Sequence, residues 1–166
     1  IGSAIIQSDD YLIASFHYYQ PFNFTSSSSS NPNYDDFNWG TGNDKPNVIS
    51  HFDSVKNWSE INNIPVTLGE FGADNANGIN YVTGIDGAYG GPVNSDRVEF
   101  HRFVAEQAIN RGFSFSVWCS GNKSNKTVHL RTDNPDTNNT IPGVWVTDVK
   151  DALLASGTWP VCYGPS

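Results

Sequence analysis

The stretch 65–74 constrains the fold more than any other part of the chain, because it has the pattern of a short buried strand that ends on a carboxylate. Pro65 suits the first position of a strand, and residues 66–68 favour extended backbone. Glycines flank Glu70 with uncrowded backbone. In a parallel α/β fold, binding and catalytic groups collect at this end of the strands. The pattern therefore predicts Glu70 as a site residue; the alternative is an idle Glu in a glycine-rich turn.

Two further apolar segments end in the same way. Residues 12–16 run into His17, Tyr18 and Tyr19, and residues 113–117 run into Trp118 and Cys119. The three predicted strands begin at intervals of roughly fifty residues, which is room for a strand, a loop, a helix and a return. This spacing predicts an α/β fold built from repeated βα units.

Hydrophobic periodicity predicts the helices between these strands. Residues 47–62 predict one helix with Asn47 as its N-cap, and residues 96–110 predict another, capped by Asn94 or Ser95. A last helix is expected over 145–155, and the first ten residues have the character of a helix end and a turn. Three irregular stretches are expected as loops: 20–46, 73–93 and 120–142.

Several loop and helix residues carry further predictions. Trp39 in the first loop is predicted to line a cleft, the alternative being a tryptophan that pins the loop to the body. The serine run 26–30 is low in complexity and is expected to be mobile. Asp74 and Asp86 are expected to be solvated or turn-forming. Three helical residues are expected outside any site: His51, Glu99 and His101.

The strand ends, taken together, resemble the C-terminal half of glycoside hydrolase family 5 enzymes of the cellulase and endoglucanase type. The matching segments keep the family's order: 13–19, 63–72, 97–103 and Trp118. The resemblance spans nearly the whole chain and implies an α/β fold that is a partial (β/α)8 TIM barrel, with βα units corresponding to its sixth, seventh and eighth strands. It also implies that residues 1–166 form a single domain, the C-terminal half of a catalytic barrel that needs about 250 residues.

The resemblance implies hydrolysis of β-1,4-glucosidic linkages in cellulose or related β-glucans by a retaining mechanism. It gives Glu70 the role of nucleophile. His17 and Tyr19 match positions that contact the sugar and the carboxylates, Tyr19 through a hydrogen bond to Glu70. Trp118 matches the aromatic floor beneath the sugar.

The second carboxyl group of such a mechanism is missing from the sequence. In the family, the acid/base glutamate follows an asparagine on the fourth strand, and this chain has no Asn-Glu pair. The remaining glutamates all lie on predicted helices: Glu60, Glu99 and Glu106. Pairing two copies of the half barrel would bring Trp118, not a carboxylate, to the vacant position. The chain is therefore expected to be part of a longer enzyme or to need a complementary N-terminal half barrel; the alternative is a non-catalytic carbohydrate-binding half barrel or inactive fragment.

Charge and composition exclude several other classes. A formal net charge of −8 with nine Lys and Arg argues against a nucleic-acid partner, and no apolar run is long enough to cross a membrane. Cys119 and Cys162 are too few and too far apart for a zinc site, and a disulfide between them stays open. A retaining glycosidase of the kind that the resemblance implies leads us to expect no metal or organic cofactor. Exposed strand edges favour self-association. A polysaccharide substrate leads us to expect a secreted protein.

Overall fold

The structure is a computed structural model that describes residues 11–28, 33–75, 91–119, 125–131 and 143–157. In chain order its elements are β1 (Ala14–Tyr18), α1 (Phe22–Thr25), α2 (Asp44–Asn62), β2 (Val66–Phe71), α3 (Asn94–Asn110), β3 (Ser114–Val117), β4 (His129–Arg131), β5 (Gly143–Trp145) and α4 (Thr147–Ala155). Three sets of predictions concern positions outside the described residues: those for residues 1–10, Asp86 and Cys162.

The first three strands form one parallel sheet in the order β1-β2-β3. His17 of β1 stands opposite Glu70 of β2 in the register, and Phe71 stands opposite Val117 of β3. Because the strands are parallel, their carboxyl ends meet at one edge of the sheet. The predicted α/β fold with parallel strands is therefore confirmed, and its three strand ends lie side by side.

One face of this sheet packs beneath α2 and α3. Leu68 and Phe71 of β2 are completely buried, as are Phe52 of α2 and Phe100 of α3. Phe16 contacts Phe52 edge to face, with ring centroids 5.4 Å apart. The alternation of side chains along each strand thus points the aromatic and aliphatic residues toward the helices.

The opposite face of the sheet carries small polar residues. Ser15, Ser114 and Ser116 are exposed, and Ser114 Oγ donates to Thr67 Oγ1 at 2.8 Å. A Cβ at Gly69 would collide with Ser15 Oγ. No described helix covers this face, which is why its residues stay accessible although they belong to the central sheet.

The long helices begin earlier than the sequence predicts. α2 starts at Asp44 rather than at residue 47, and the Asp44 carboxylate accepts from the Gly40 and Thr41 amides at 2.9 and 3.2 Å. Pro46 then falls in the first helical turn, where its missing N–H costs no intrahelical hydrogen bond. The N-cap residues are Asn43 for α2 and Val93 for α3, and neither makes a side-chain cap hydrogen bond. The predicted capping is therefore wrong, because the proposed caps lie inside the helices: Asn47, Asn94 and Ser95.

The region 120–142, expected as a loop only, contains a strand. β4 pairs with β5 in an antiparallel ladder, and the rings of His129 and Trp145 lie 4.6 Å apart across it. Trp145 therefore belongs to a strand and not to the last helix, which begins at Thr147. No helix among the described residues combines the length and the apolar character of a membrane span.

Candidate active site

Glu70 lies at the carboxyl end of β2 with its side chain 32% exposed. The Tyr19 hydroxyl donates to its Oε2 at 2.9 Å, and His17 Nδ1 lies 3.4 Å from the same oxygen. Tyr19 and His17 come from the end of the neighbouring strand. The structure thus brings together three residues that the sequence predicted for one site, around one carboxylate oxygen.

Tyr19 is held in its protonated form. Burial raises the pKa of its phenol well above the usual value of tyrosine, and the hydrogen bond to Glu70 and the charge of that carboxylate raise it further. The phenol therefore stays a hydrogen-bond donor across the physiological range. A carboxylate that accepts such a bond keeps a fixed orientation, which a reacting group requires.

Trp118 follows β3 at the same edge and is 43% exposed. Its backbone N–H donates to the carbonyl of Phe71, the residue after Glu70, at 2.8 Å. A Cβ on Gly72 would lie 2.6 Å from the Trp118 carbonyl oxygen, so only glycine allows the two strand exits to approach this closely. An accessible indole thus stands beside the segment that carries Glu70.

Trp39 is not on this open edge, contrary to the prediction that it lines a cleft. Its side chain is 3% exposed and contacts Phe24, Phe100 and Phe103 at centroid distances between 5.3 and 6.5 Å. Its backbone N–H donates to Asp96 at 3.0 Å. The indole anchors the loop after β1 to α3, which is the alternative that the sequence left open.

Asp74 is buried, although a solvated or turn-forming role was expected. Its side chain accepts hydrogen bonds from the amide and the hydroxyl of Ser28 at 3.0 and 2.6 Å, and Lys126 Nζ lies 2.6 Å from it. Ser28 is itself 6% exposed, so this part of the serine run is packed and not a mobile insert. The partners are distant in sequence, so no local pattern announces the cluster.

A second buried polar cluster lies behind the strand exits and was missed from the sequence. Arg97 is 1% exposed and donates from Nη2 to Asn75 Oδ1 at 3.1 Å and to the Thr127 carbonyl at 3.2 Å. His101 Nδ1 lies 2.8 Å from the Arg97 carbonyl. Burial lowers the pKa of His101 to about 3, so the imidazole is neutral and Nδ1 donates. A Cβ added to Gly72 would lie 3.8 Å from His101 Nε2. The imidazole therefore lies close to the backbone that follows Glu70.

The remaining glutamates lie on the helices and form ion pairs there. Glu60 pairs with Lys56 on α2, and Glu106 pairs with Arg102 on α3. Glu99 contacts both Arg102 and Lys45, and the hydrogen bond from Arg102, aided by Lys45 against the effect of burial, lowers its pKa to about 2. Within the described residues, no three or more His, Cys, Asp and Glu side chains form a group that could hold a metal ion.

Comparison with known proteins gives a family match over most of the chain. The family model described as Cellulase (glycosyl hydrolase family 5) matches residues 4–124. Endoglucanase H of Acetivibrio thermocellus is 34% identical over 155 residues, which are 93% of this chain and 14% of that protein. Endoglucanase A of Clostridium longisporum is 30% identical over 151 residues, or 90% of this chain and 25% of that protein.

Solved structures give a matching fold. Clostridial cellulose synthase subunit Z from Clostridioides difficile superimposes with a TM-score of 0.66 at 25% identity, covering 90% of this chain and 42% of that one. A broad-specificity endoglucanase from Clostridium longisporum gives a TM-score of 0.61 at 26% identity, with 91% and 37% covered. The chain thus spans less than half the length of each of these relatives.

Proposed function

This chain belongs to the cellulase family of glycosyl hydrolases, family 5, and from that membership we propose that it carries the nucleophile half of a retaining β-1,4-glucan hydrolase. Glu70 is the nucleophile in this proposal, Tyr19 and His17 orient it, and the exposed Trp118 stacks against the sugar. The substrate is cellulose or a related β-glucan. A polymer such as cellulose is degraded outside the cell, so we propose that the protein is secreted.

The contact between Tyr19 and Glu70 is the observation that carries this proposal. A retaining glycosidase needs an ionised carboxylate that attacks the anomeric carbon and forms a covalent glycosyl-enzyme. The 2.9 Å hydrogen bond from a phenol that stays protonated keeps one oxygen of Glu70 occupied and oriented, which leaves the other oxygen to attack. A partly exposed strand end provides access for the sugar.

The acid/base carboxyl group comes from outside this chain in our proposal. A retaining pair stands about 5 to 5.5 Å apart. In the part of the chain that the structure describes, the polar side chains that contact the Glu70 carboxylate are the phenol of Tyr19 and the imidazole of His17. Glu60, Glu99 and Glu106 are engaged in ion pairs on α2 and α3. A further set of βα units, in a longer chain or a complementary N-terminal half barrel, therefore supplies the acid.

The sheet supports this partial-barrel arrangement. In a (β/α)8 barrel one face of every strand points to helices and the other points into the barrel interior. Here α2 and α3 cover one face, while small residues such as Ser15 and Ser116 leave the other face accessible. We propose that this second face is the wall of a barrel interior which additional strands complete.

The nucleophile can be tested without the missing acid. Dinitrophenyl 2-deoxy-2-fluoro-β-cellobioside releases a phenolate that needs no protonation, and its fluorine slows hydrolysis of the glycosyl-enzyme, so an adduct accumulates. We expect stoichiometric phenolate release and a mass increase on the peptide that contains Glu70. Glu70→Gln should give neither, whereas Glu60→Gln, a matched change on α2, should react like the native chain. An adduct on another residue would contradict the proposal.

A non-catalytic carbohydrate-binding half barrel is the second candidate, favoured by the accessible Trp118 and the missing acid. It predicts that cellooligosaccharides bind without any adduct and that Glu70→Gln leaves the reaction with the fluoro-sugar at its background level. Titration calorimetry with cellotetraose should show that Trp118→Ala abolishes binding for either candidate. The covalent reaction with the fluoro-sugar, which only the enzyme undergoes, distinguishes the two.

A further inference from the structure

Tyr19 lies just beyond the sheet, so the strand ladder alone does not fix it. β1 ends at Tyr18. The backbone carbonyl of Tyr19 accepts a hydrogen bond from the hydroxyl of Thr25 at 2.6 Å. Thr25 is the last residue of α1 and is completely buried. The side chain of Thr25 therefore sets where the chain goes after β1, and with it where the phenol of Tyr19 stands.

The same threonine also holds the segment that leaves β2. Its backbone carbonyl accepts a hydrogen bond from the amide of Asp74 at 2.9 Å. Asp74 closely follows Glu70 along the chain. Thr25 thus contacts the segment after Tyr19 through its hydroxyl and the segment after Glu70 through its carbonyl. The bond from Tyr19 to Glu70 closes a ring of contacts that passes through Thr25.

Asp74 in turn is fixed by partners from two other segments. Ser28 and Lys126 both contact its carboxylate, and Lys126 Nζ also lies 3.3 Å from Ser26 Oγ. The carbonyl of Lys126 accepts from the amide of Cys119 at 3.2 Å, which joins the exit of β3 to the same cluster. A buried charge held by a cation and by hydrogen bonds has one arrangement of low free energy. The anchor for Thr25 is therefore rigid.

We propose that Thr25 is a positioning residue, whose hydroxyl and carbonyl hold Tyr19 and the exit of β2 at the separation where the phenol bonds Glu70. It touches no sugar and acts through Tyr19. The proposal rests on the proposed function in so far as Glu70 attacks a sugar. The geometry of the contact itself is independent of turnover.

The contact can be followed by NMR in the intact chain. Labelling the ζ carbons of its seven tyrosines and assigning one resonance by Tyr19→Phe reports the hydrogen bonding of that phenol at pH 7. Glu70→Gln gives the reference in which the carboxylate acceptor is gone. Thr25→Val keeps the shape and removes the hydroxyl. We expect its Tyr19 resonance to move at least halfway from the native position to the Glu70→Gln position.

Graded variants separate positioning from general damage. Thr25→Ser keeps the donor and should restore the native resonance, and Thr25→Cys, a weaker donor, should lie between Ser and Val. Ser54→Ala removes another hydroxyl bonded to a backbone carbonyl, at 2.9 Å on α2, and should leave Tyr19 unchanged. Should Thr25→Val fail to fold, the Cys variant carries the test. A native Tyr19 resonance in the folded Val variant, or in the Cys variant, overturns the proposal.

Kinetics with the fluoro-sugar gives a second readout. Loss of the Thr25 hydroxyl should slow phenolate release about tenfold, because it disturbs the hydrogen bond from Tyr19 to the charged Glu70, while the Kd for cellotetraose stays native. An equal loss of affinity and rate would indicate a merely structural role. If the native chain forms no adduct on Glu70 and the Tyr19 resonance still responds to Thr25, the proposed function fails and the positioning contact stands.

Discussion

Two tryptophans show that residue type alone does not decide a role. Trp39 lies in the long loop after β1 and is 3% exposed, whereas Trp118 directly follows β3 and is 43% exposed. The difference comes from their neighbours: Trp39 meets the aromatic rings of α3, whereas Trp118 belongs to the strand exit itself. The sequence supports a role for Trp118 because a strand end is a defined position, and a long loop offers no such anchor.

His101 makes the stability of the fold depend on pH. Burial lowers its pKa from the ordinary 6.5 to about 3, so between these values the unfolded chain binds a proton that the folded chain excludes. The free energy of unfolding should therefore fall as the pH falls through this window, by up to roughly 1.4 kcal/mol per pH unit. Urea unfolding at several pH values between 7 and 4 measures the slope.

A matched pair of histidine variants assigns that slope. His101→Phe keeps an aromatic ring among Phe71 and Phe100 and removes the titrating group, so its stability should vary less with pH. His51 is exposed on α2, and His51→Gln should keep the native slope. An unchanged slope in the Phe variant would show that other groups cause the acid sensitivity.

The exits of β2 and β3 act as one element because Gly72 lets them touch. In Gly72→Ala the new Cβ meets the backbone carbonyl of Trp118 at 2.6 Å, and backbone cannot move aside as a flexible side chain can. We expect a loss of about 1–3 kcal/mol in the free energy of unfolding and a shift in the fluorescence of Trp118. Chemical denaturation and emission spectra measure the two effects.

Gly42 provides the control for this substitution. It has a φ of 53° and no heavy atom within 4 Å of an added Cβ, and asparagine tolerates this left-handed backbone. Gly42→Asn should therefore change stability by no more than about 0.5 kcal/mol. Equal losses in the two variants would mean that the contact with Trp118 does not limit the strand exits.

Elements whose pattern is local could be predicted, and those that depend on distant partners could not. The apolar pattern around Glu70 and the helical periodicity of α2 each indicate which side chains are buried, so both elements could be predicted from the sequence. The buried face of α3 could not be predicted, because Arg97 and His101 are polar residues that become buried only through Asn75, Thr127 and each other. β4 and β5 are short strands that exist only as a pair, which leaves no signal in either one alone.

At the scale of the whole molecule, the sheet has edges without a partner strand in the described part of the chain. The segment before β1 exposes Tyr11 by 93% and Ile13 by 68%. Exposed apolar edges pair with other chains. We expect concentration-dependent association of the isolated chain and a marked reduction of it in Ile13→Lys, measured by sedimentation velocity.

Ile61 offers the matching control, since it is 74% exposed at the end of α2 and not at the sheet edge. Ile61→Lys adds the same charge and removes the same side chain, so net charge cannot explain a difference between the two variants. Equal association of the two variants would contradict an edge-mediated contact.

The carboxylate cluster of Asp74, Ser28 and Lys126 bears on how this protein can be engineered. Ser28, Asp74 and Lys126 lie in the connections that follow β1, β2 and β3, respectively. A graft that replaces one of these connections therefore removes a partner from a buried charge in another. Designers who exchange these connections should transplant all three from a single donor, or rebuild the cluster as apolar residues before diversifying any one of them.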